Sequence, residues 1–271
     1  MKPKEILVFG ASGQIGRHLI RKLTKNNYKV VAVTRNIHQK GYILKTQANP
    51  GYLEIVELTY FNIEKIKSLV EDCSICINLI GILFEKRKNF FKNIHTDFPD
   101  LLSKLSAKKN IEKLIHLSSL GIEQSLDSNY AISKLEGENK IKNNFDRVVV
   151  LKPSIVYSVD DNFTTNFMTL LNRLPIMPIY YEGKTKFAPI HVTDLAQIIF
   201  DVVQGKTNEQ TIECIGPEII SFKEIILKLL KTIDKKRLLI PLPLVIAKMT
   251  AKIFEIMPNP LITVDQINLL K

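Results

Sequence analysis

Tyr130 and Lys134 lie four residues apart in the segment Tyr-Ala-Ile-Ser-Lys, and this spacing brings two side chains to one face of a helix. A free phenol has a pKa of about 10 and is a poor base at neutral pH. A neighbouring ammonium group, together with a positive nicotinamide ring, favours the phenolate and lowers that pKa. Such a phenol can exchange a proton with a carbonyl while the nicotinamide moves a hydride. Ser119, which follows Ser118 at the end of an apolar segment, would hydrogen-bond the same carbonyl oxygen.

A Tyr-x-x-x-Lys pair also arises by chance in a lysine-rich chain, so its weight depends on a dinucleotide site elsewhere. Gly10-x-x-Gly13-x-x-Gly16 follows an apolar run and precedes a helical pattern, which predicts the strand, turn and helix that receive a pyrophosphate. Gly10 can adopt backbone angles closed to other residues, and Gly13 lets the main chain approach the phosphates. Gly16 lets the helix pack closely, and the helix N-terminus offers free N–H groups to the anion. The alternative is a glycine-rich turn that binds nothing.

The next predicted strand, 28–34, is followed directly by Arg35. In NAD-preferring proteins of this kind, an acidic residue about 20 positions past the glycines binds the ribose 2′-OH. This chain has a cation there, with Arg17 and Lys40 nearby. A guanidinium can pair with a 2′-phosphate, which a carboxylate would repel. The sequence therefore favours NADP(H) over NAD(H); the alternative is that Arg35 merely faces solvent.

Composition limits the class of protein. The chain has 271 residues, 45% of them hydrophobic, and a formal net charge of +11. Its 38 basic residues are spread along the chain and form no nucleic-acid motif, which leaves weak attraction to anionic lipid as an open alternative. No apolar stretch reaches the roughly 18 to 20 residues that span a bilayer, and we expect a cytoplasmic protein.

The cysteines Cys73, Cys76 and Cys214 agree with a reducing compartment. Cys73 and Cys76 have the spacing of a zinc or redox pair, but they lead into an apolar run without a second Cys or His pair nearby. In a strand their side chains would point to opposite faces. We expect no metal site.

Strand-like and helix-like segments alternate, which predicts an α/β fold: a doubly wound parallel sheet of the Rossmann-like type with a smaller, mixed C-terminal substrate lobe. The predicted strands are 6–9, 28–34, 52–57, 74–81, 113–117 and 147–151, and predicted helices include 63–70, 98–108 and 130–142.

Several motifs together resemble an extended or atypical short-chain dehydrogenase/reductase. They are Gly10-x-x-Gly13-x-x-Gly16, Ser118-Ser119, Tyr130-x-x-x-Lys134 and Leu151-Lys-Pro-Ser-Ile-Val-Tyr157. The segments 78–84, 116–121, 161–163, 183–189 and 258–266 resemble more narrowly the epimerase-like, NADPH-binding accessory subunit of respiratory complex I and its bacterial relatives. The resemblance covers essentially the whole chain.

The resemblance implies a tightly held NADPH with a mainly structural use, and docking on the peripheral arm of complex I near the membrane, peripheral to the inner face of the energy-transducing membrane. Some relatives are linked to epimerase, reductase or ubiquinone chemistry. The implied catalytic residues are Ser119, Tyr130 and Lys134. The implied cofactor-binding residues are Gly10, Ser12, Gly13, Gln14, Ile15, Gly16, Arg17, Arg35, Asn78, Gly81, Ser118, Tyr130, Lys134 and Pro153.

The family pattern also implies two lobes: a nucleotide-binding lobe of residues 1–153 plus about 191–216, and a substrate or partner lobe of about 154–190 plus 217–271. Asp194 reads as a residue at the start of a helix, with an N-cap as its simplest role. Residues 238–257 are apolar, with Lys248 and Lys252 four apart. This segment could lie on a membrane surface or a partner, or form a helix pair that caps the second lobe.

Two features depart from the resemblance. Tyr130 follows Ser119 by only 11 positions, a short loop for a sugar-nucleotide epimerase. The chain ends five residues after Gln266, where we expect relatives to continue. Three hypotheses remain open: a binding subunit that holds NADP(H), an active oxidoreductase acting on an apolar carbonyl or quinone-like substrate, and, less favoured, a nucleotide-sugar epimerase.

Overall fold

The computed structural model describes residues 5–207, 209–256, 260 and 262–270, so residues 258, 259 and 261 of the C-terminal motif lie outside the described part. The strands are β1 (Glu5–Phe9), β2 (Lys29–Thr34), β3 (Leu53–Glu57), β4 (Ile75–Asn78), β5 (Lys113–Leu117), β6 (Val148–Pro153), β7 (Val156–Tyr157), β8 (Ile176–Ile179), β9 (Lys186–Phe187), β10 (Ile190–His191), β11 (Thr211–Cys214), β12 (Ile220–Ser221) and β13 (Leu238–Pro241). The α-helices are α1 (Gln14–Lys25), α2 (Ile37–Lys45), α3 (Ile63–Glu71), α4 (Phe98–Lys109), α5 (Asn129–Asn144), α6 (Asn162–Arg173), α7 (Val192–Val203), α8 (Phe222–Thr232), α9 (Leu244–Phe254) and α10 (Val264–Leu269).

Seven strands form one sheet in the order β11-β6-β5-β4-β1-β2-β3. Every neighbouring pair in it runs parallel. The strands on either side of β1 continue in opposite directions along the chain, so the sheet is doubly wound. The predicted α/β fold class is confirmed. The carboxyl ends of β1, β4, β5 and β6 lie side by side, which is where a parallel sheet of this kind binds its ligands.

Helices cover both faces of the sheet because the strands are apolar on both sides. One buried cluster joins the sheet to α1 and α7, through Leu19 and Leu195 among others. The other joins it to α3, α4 and α5, through residues that include Ile66, Phe98 and Ile141. The helix α5, which carries Tyr130 and Lys134, is therefore held firmly against the sheet.

Some predicted boundaries are wrong for local physical reasons. The strand predicted over 74–81 ends at Asn78, whose side-chain oxygen accepts the Ile80 N–H at 3.1 Å and turns the chain. The strand predicted to end at Leu151 continues to Pro153, because that carbonyl still accepts the Leu120 N–H at 3.0 Å. A π-helical turn, Lys92–Asp97, leads directly into α4.

Two smaller predictions are also corrected. Cys73 and Cys76 lie in the same apolar cluster rather than on opposite faces, because Cys73 precedes the first residue of β4. The N-cap of α7 is His191, and Asp194 lies in the first turn of that helix. Within the described residues, no group of three or more His, Cys, Asp or Glu side chains could hold a metal ion.

A smaller layer packs beyond the carboxyl ends of the central strands. Its core joins α6, β8 and α8 through Leu171, Met177, Phe222 and Ile226. Within the described part of the segment predicted over 238–257, residues 238–256 form the strand β13 and one helix, α9, instead of a helix pair. No helix in the described ranges is long and apolar enough to cross a membrane. The exact division of the chain into two lobes stays a prediction.

Candidate dinucleotide site

The turn between β1 and α1 has the geometry that its glycines predict. Gly10 has φ +77°, a left-handed conformation that favours glycine. A Cβ atom on Gly16 would lie 2.5 Å from the Ala11 carbonyl oxygen, so only glycine lets α1 approach the turn this closely. The Gly13 N–H donates to the Gly10 carbonyl at 3.0 Å, which closes the turn.

The N-terminus of α1 differs from those of α2, α3 and α5. The side chains of Asn36, Asn62 and Ser128 cap α2, α3 and α5, whereas α1 begins at Gly13 without a side-chain cap and without an acidic residue in its first turn. Its first N–H groups and the positive end of the helix dipole therefore remain available to an anion. These features fit the pyrophosphate of a dinucleotide.

A cavity of about 1820 Å³ opens at this turn and extends to the second lobe. Eleven of the predicted site residues line it: Gly10, Gly13, Gln14, Ile15, Gly16, Gly81, Ser118, Ser119, Tyr130, Lys134 and Pro153. The glycine turn and the Tyr-x-x-x-Lys pair, which are more than 100 positions apart in the chain, thus share one cavity.

Tyr130 is almost fully buried on the first turn of α5. Burial raises the pKa of its phenol; a hydrogen bond with Ser119 opposes this shift, and the Asp265 carboxylate adds to it. The Lys134 Nζ lies 6.0 Å from the centre of the phenol ring. The protein residues alone therefore hold the phenol neutral, and the lowered pKa predicted from the sequence would require the positive charge of a nicotinamide.

The Lys134 ammonium group is itself buried and donates to the Leu117 carbonyl at 2.9 Å. Burial lowers the pKa of Lys134 to about 8, and the Glu138 carboxylate opposes this shift. A Cβ atom on Gly81 would lie 3.5 Å from Nζ, so the absence of a side chain there leaves the ammonium group open to the cavity. Lys134 is placed to contact a ribose or a phenol oxygen.

Arg17 and Gln14 face a loop of the second lobe rather than open space. The Arg17 guanidinium pairs with the Asp160 carboxylate at 2.6 Å, and Gln14 Nε2 donates to Ser158 Oγ at 2.9 Å. The hydrogen bond from Ser158 and the Arg17 charge lower the pKa of Asp160. The Arg17 guanidinium is thus engaged with Asp160 in this structure, and its predicted place in the cofactor site stays a prediction.

Three further predicted residues do not line the cavity. Ser12 Oγ accepts from Thr34 Oγ1 at 3.2 Å. Asn78 is buried and hydrogen-bonds His116 Nδ1 at 3.1 Å, so its role in the structure is to shape the turn after β4. Arg35 is exposed at the carboxyl end of β2 and forms no ion pair with another described residue.

Residues 6–214 match the family described as the NAD dependent epimerase/dehydratase family. The chain belongs to this family. It is also 24% identical, over 262 residues, to the mitochondrial NADH-ubiquinone oxidoreductase 40 kDa subunit of Neurospora crassa, with 96% of this chain and 68% of that protein covered. It is 24% identical over 193 residues to the ceramide reductase of Caulobacter vibrioides, with 70% of this chain and 58% of that protein covered.

A solved member of the epimerase/dehydratase family has the same fold. The crystal structure of UDP-glucuronic acid 4-epimerase from Bacillus cereus, in complex with UDP-glucuronic acid and NAD, superposes with a TM-score of 0.72 at 22% identity, covering 88% of this chain and 86% of that chain. The fold and the family name together support a nicotinamide dinucleotide as the ligand of the glycine turn.

Glu138 is a residue of this site that the sequence analysis missed. It is 2% exposed and accepts hydrogen bonds from Ser118 Oγ at 3.2 Å, Lys142 at 2.7 Å and Lys152 at 3.0 Å. The Ser118 hydroxyl group thus connects the end of β5 to α5. The signal was available, because Tyr130, Lys134 and Glu138 recur every four residues on one helix face.

His95 was also missed, and no spacing in the sequence marks it. Its Nε2 accepts the Ile82 N–H at 3.1 Å, and its Nδ1 lies 3.0 Å from Ser133 Oγ on α5. Burial lowers the pKa of His95 to about 2, so the ring is neutral. This neutral histidine holds the loop around Gly81 against α5.

The far end of the cavity combines apolar and polar side chains. Apolar residues from α6, β9, α8 and the C-terminal segment line it: Phe163, Phe167, Leu170, Phe187, Phe222, Ile262, Leu269 and Leu270. The same part of the cavity also has polar lining residues: Asn162, Asn166, Glu182, Lys184, Thr185, Lys186, Gln266 and Asn268. The apolar side chains offer contacts to an apolar part of a ligand.

Proposed function

We propose that this chain is an NADP(H)-binding protein that associates with respiratory complex I as an accessory or assembly subunit, and that the nucleotide serves mainly to stabilise its structure. The observation that carries the proposal is the uncapped N-terminus of α1, because it lines the same cavity as Lys134 and Tyr130. Gly10, Gly13 and the first N–H groups of α1 would hold the pyrophosphate, and Lys134 and Tyr130 would lie near the nicotinamide ribose. The bound nicotinamide would supply hydride chemistry if a substrate were turned over.

The preference for NADP(H) rests on Arg35. It follows β2 directly, where an acidic residue would favour NAD(H), and its side chain is exposed. A guanidinium in this place can bind a 2′-phosphate through two charge-assisted hydrogen bonds.

A structural use of the nucleotide is supported by the state of the catalytic residues. Burial raises the pKa of Tyr130, and Lys134 donates to a backbone carbonyl, so the protein's own groups do not favour the phenolate. A nucleotide at 100 times its dissociation constant stabilises a fold by about 2.7 kcal/mol, which is sufficient for such a role.

Association with complex I is supported by the Neurospora relative, whose name places it in NADH-ubiquinone oxidoreductase. The exposed surface of α9 offers a contact face. Val245, Met249 and Ile253 follow one another at helical spacing and are 72%, 63% and 65% exposed, while Ala247 and Ala251 face inward. Lys248 and Lys252 lie beside this α9 face. We propose that it contacts the membrane-facing side of the complex, peripheral to the inner surface of the energy-transducing membrane.

The experiment is fractionation by size of gently solubilised native membranes, in which this chain is followed together with NADH:quinone oxidoreductase activity. Co-migration of the two is the expected result. Migration of the chain as a free small protein would contradict the accessory-subunit proposal.

A second candidate function is an active NADPH-dependent oxidoreductase acting on an apolar carbonyl or quinone-like substrate. The apolar side chains at the far end of the cavity and the hydrogen bond between Ser119 and Tyr130 favour it, and the Caulobacter relative is named as a reductase. A screen of carbonyls and quinones with NADPH tests for turnover. Any activity found should be lost in Tyr130→Phe and kept in Tyr42→Phe, which changes an exposed tyrosine on α2; activity that survives Tyr130→Phe would exclude the acid/base role.

A further inference from the structure

The C-terminal segment contacts the catalytic helix at one carboxylate. Asp265, in the first turn of α10, accepts hydrogen bonds from Ser128 Oγ at 2.8 Å, from the Asn129 N–H at 2.6 Å and from the Tyr130 N–H at 3.2 Å. These donors form the N-terminus of α5, 135 to 137 positions earlier in the chain. A distant carboxylate thus occupies the positive end of the helix that carries Tyr130 and Lys134.

Capping of the two helices does not by itself explain this contact. Thr263 and Gln266 already cap α10 with a reciprocal capping box, so α10 does not need the Asp265 side chain. The Ser128 side chain already accepts the Ala131 N–H and so caps α5. The Asp265 carboxylate instead takes up the Asn129 and Tyr130 N–H groups and thereby joins the two elements.

The rest of α10 extends the contact into the cavity. Leu269 packs against the cluster that contains Phe91 and Tyr130, and Gln266, Leu269 and Leu270 line the cavity wall. Asn268 Nδ2 donates to the Asp127 carbonyl at 2.9 Å, beside the same helix start. One wall of the cavity is therefore attached to the backbone of the residue whose phenol faces that cavity.

We propose that Asp265 is a positioning residue for Tyr130: its carboxylate fixes the first turn of α5 to the C-terminal wall and so sets the place of the phenol beside the nicotinamide. The attachment itself follows from the hydrogen bonds; the consequence for the nicotinamide rests on the proposed dinucleotide site.

The test compares the full-length wild type with Asp265→Asn, Asp265→Ala and Ser128→Ala. Asp194→Asn is the matched control, because Asp194 is an exposed acidic residue in the first turn of α7. Hydrogen exchange is followed at the amides of residues 129 and 130 and at those of β1 and β5. We expect exchange at 129 and 130 to rise at least about tenfold in Asp265→Ala, by less in Asp265→Asn and Ser128→Ala, and not in the control, while the sheet amides keep their protection.

A second readout separates positioning from general stability. NADPH reaches the nicotinamide end of the site, whereas 2′,5′-ADP carries only the adenosine half. We expect Asp265→Asn to weaken NADPH binding at least about threefold and to leave 2′,5′-ADP binding unchanged. Unchanged exchange at 129 and 130, faster exchange along the whole chain, or equal weakening of both ligands would each overturn the inference. A wild type that binds neither ligand would overturn the proposed dinucleotide site instead, and the exchange result would then decide the attachment alone.

Discussion

The two ends of the cavity are built in different ways. At the dinucleotide end, the glycine turn is fixed by contacts between residues a few positions apart, such as the Gly13 N–H and the Gly10 carbonyl. At the far end, which α6, α8 and α10 line, the cavity wall is held by contacts between distant segments, such as Asp265 with Ser128. A short stretch of sequence specifies the geometry of the first end, whereas the second end forms only when distant segments of the chain come together.

This difference concerns function as well as folding. A backbone turn at a helix N-terminus recognises a feature that all dinucleotides share, namely the pyrophosphate. The wall formed by α6 and α10 offers side chains instead of a backbone turn, and α9 presents apolar side chains to solvent. Recognition at the first end thus depends on backbone groups, and recognition at the second depends on the particular side chains of this chain.

The largest effect is expected from breaking the dinucleotide end. In Gly16→Ala the new Cβ would meet backbone oxygens of Ala11 and Gly10 at 2.5 and 2.6 Å, and backbone cannot yield as a side chain can. We expect NADPH affinity, measured by fluorescence titration, to fall at least about 100-fold, equivalent to about 2.8 kcal/mol. Gly41→Ala in α2 is the control, since its Cβ would meet only the Ile37 side chain. Near-normal affinity in Gly16→Ala would show that the turn does not hold the nucleotide.

The next largest effect is expected on the pH dependence of stability, from the Lys134 ammonium group between the two ends. Burial lowers the pKa of Lys134 to about 8 in the folded protein, so the unfolded state binds the Lys134 proton more tightly. The wild type therefore gains stability as the pH rises from about 8 toward 10.5. Lys134→Met lacks this gain. From pH 7 to pH 10.5, the unfolding free energy of the wild type should therefore rise by about 3 kcal/mol relative to that of Lys134→Met.

Urea unfolding at several pH values measures this difference, with Lys108→Met, at an exposed site in the last turn of α4, as the control. Parallel stability curves for the wild type and Lys134→Met would mean that the lysine is not destabilised by burial.

A smaller effect is expected on the nucleotide preference of the dinucleotide end. Arg35→Asp replaces the cation after β2 by the carboxylate that favours a free 2′-OH. We expect the affinity ratio of NADPH to NADH to fall at least about tenfold, or about 1.4 kcal/mol. Lys45→Asp makes the same charge change on the exposed last turn of α2 and should leave the ratio unaltered. An unaltered ratio in Arg35→Asp would refute the NADP(H) preference.

The smallest effect on the protein itself concerns the α9 face. Met249 is 63% exposed, so Met249→Glu should change the unfolding free energy by less than about 0.5 kcal/mol. The same change should reduce co-migration with the respiratory complex, because a carboxylate disfavours an apolar contact. Leu227→Glu, on the exposed side of α8, should leave co-migration intact. Equal co-migration of the two variants with the complex would mean that the α9 face is not the contact surface.

The sequence predicts the dinucleotide end well because its signals are local. Glycine spacing, apolar strands and the Tyr-x-x-x-Lys period act within one or two elements, and the fold class follows from their alternation. Arg17 shows the limit: no spacing in the sequence indicates the salt bridge that it forms with Asp160, 143 positions away in the chain.

The same limit explains Asp265 and His95. Each acts through hydrogen bonds to residues on another element, and no spacing in the sequence records which distant N–H group a side chain will meet. The pKa of Tyr130 is a similar case: the sequence predicts a lowered value from Lys134 together with a positive nicotinamide, whereas burial within the folded chain raises it. Burial and long-range pairing are properties of the assembled fold.

The most direct test of the account is the identity of the nucleotide that the natively purified protein releases on denaturation, determined by chromatography and mass spectrometry. We predict about one NADP(H) per chain in the wild type and none in Gly16→Ala. Release of NAD(H) would contradict the assignment of Arg35, and a wild type that releases no dinucleotide and binds none on titration would contradict the central claim.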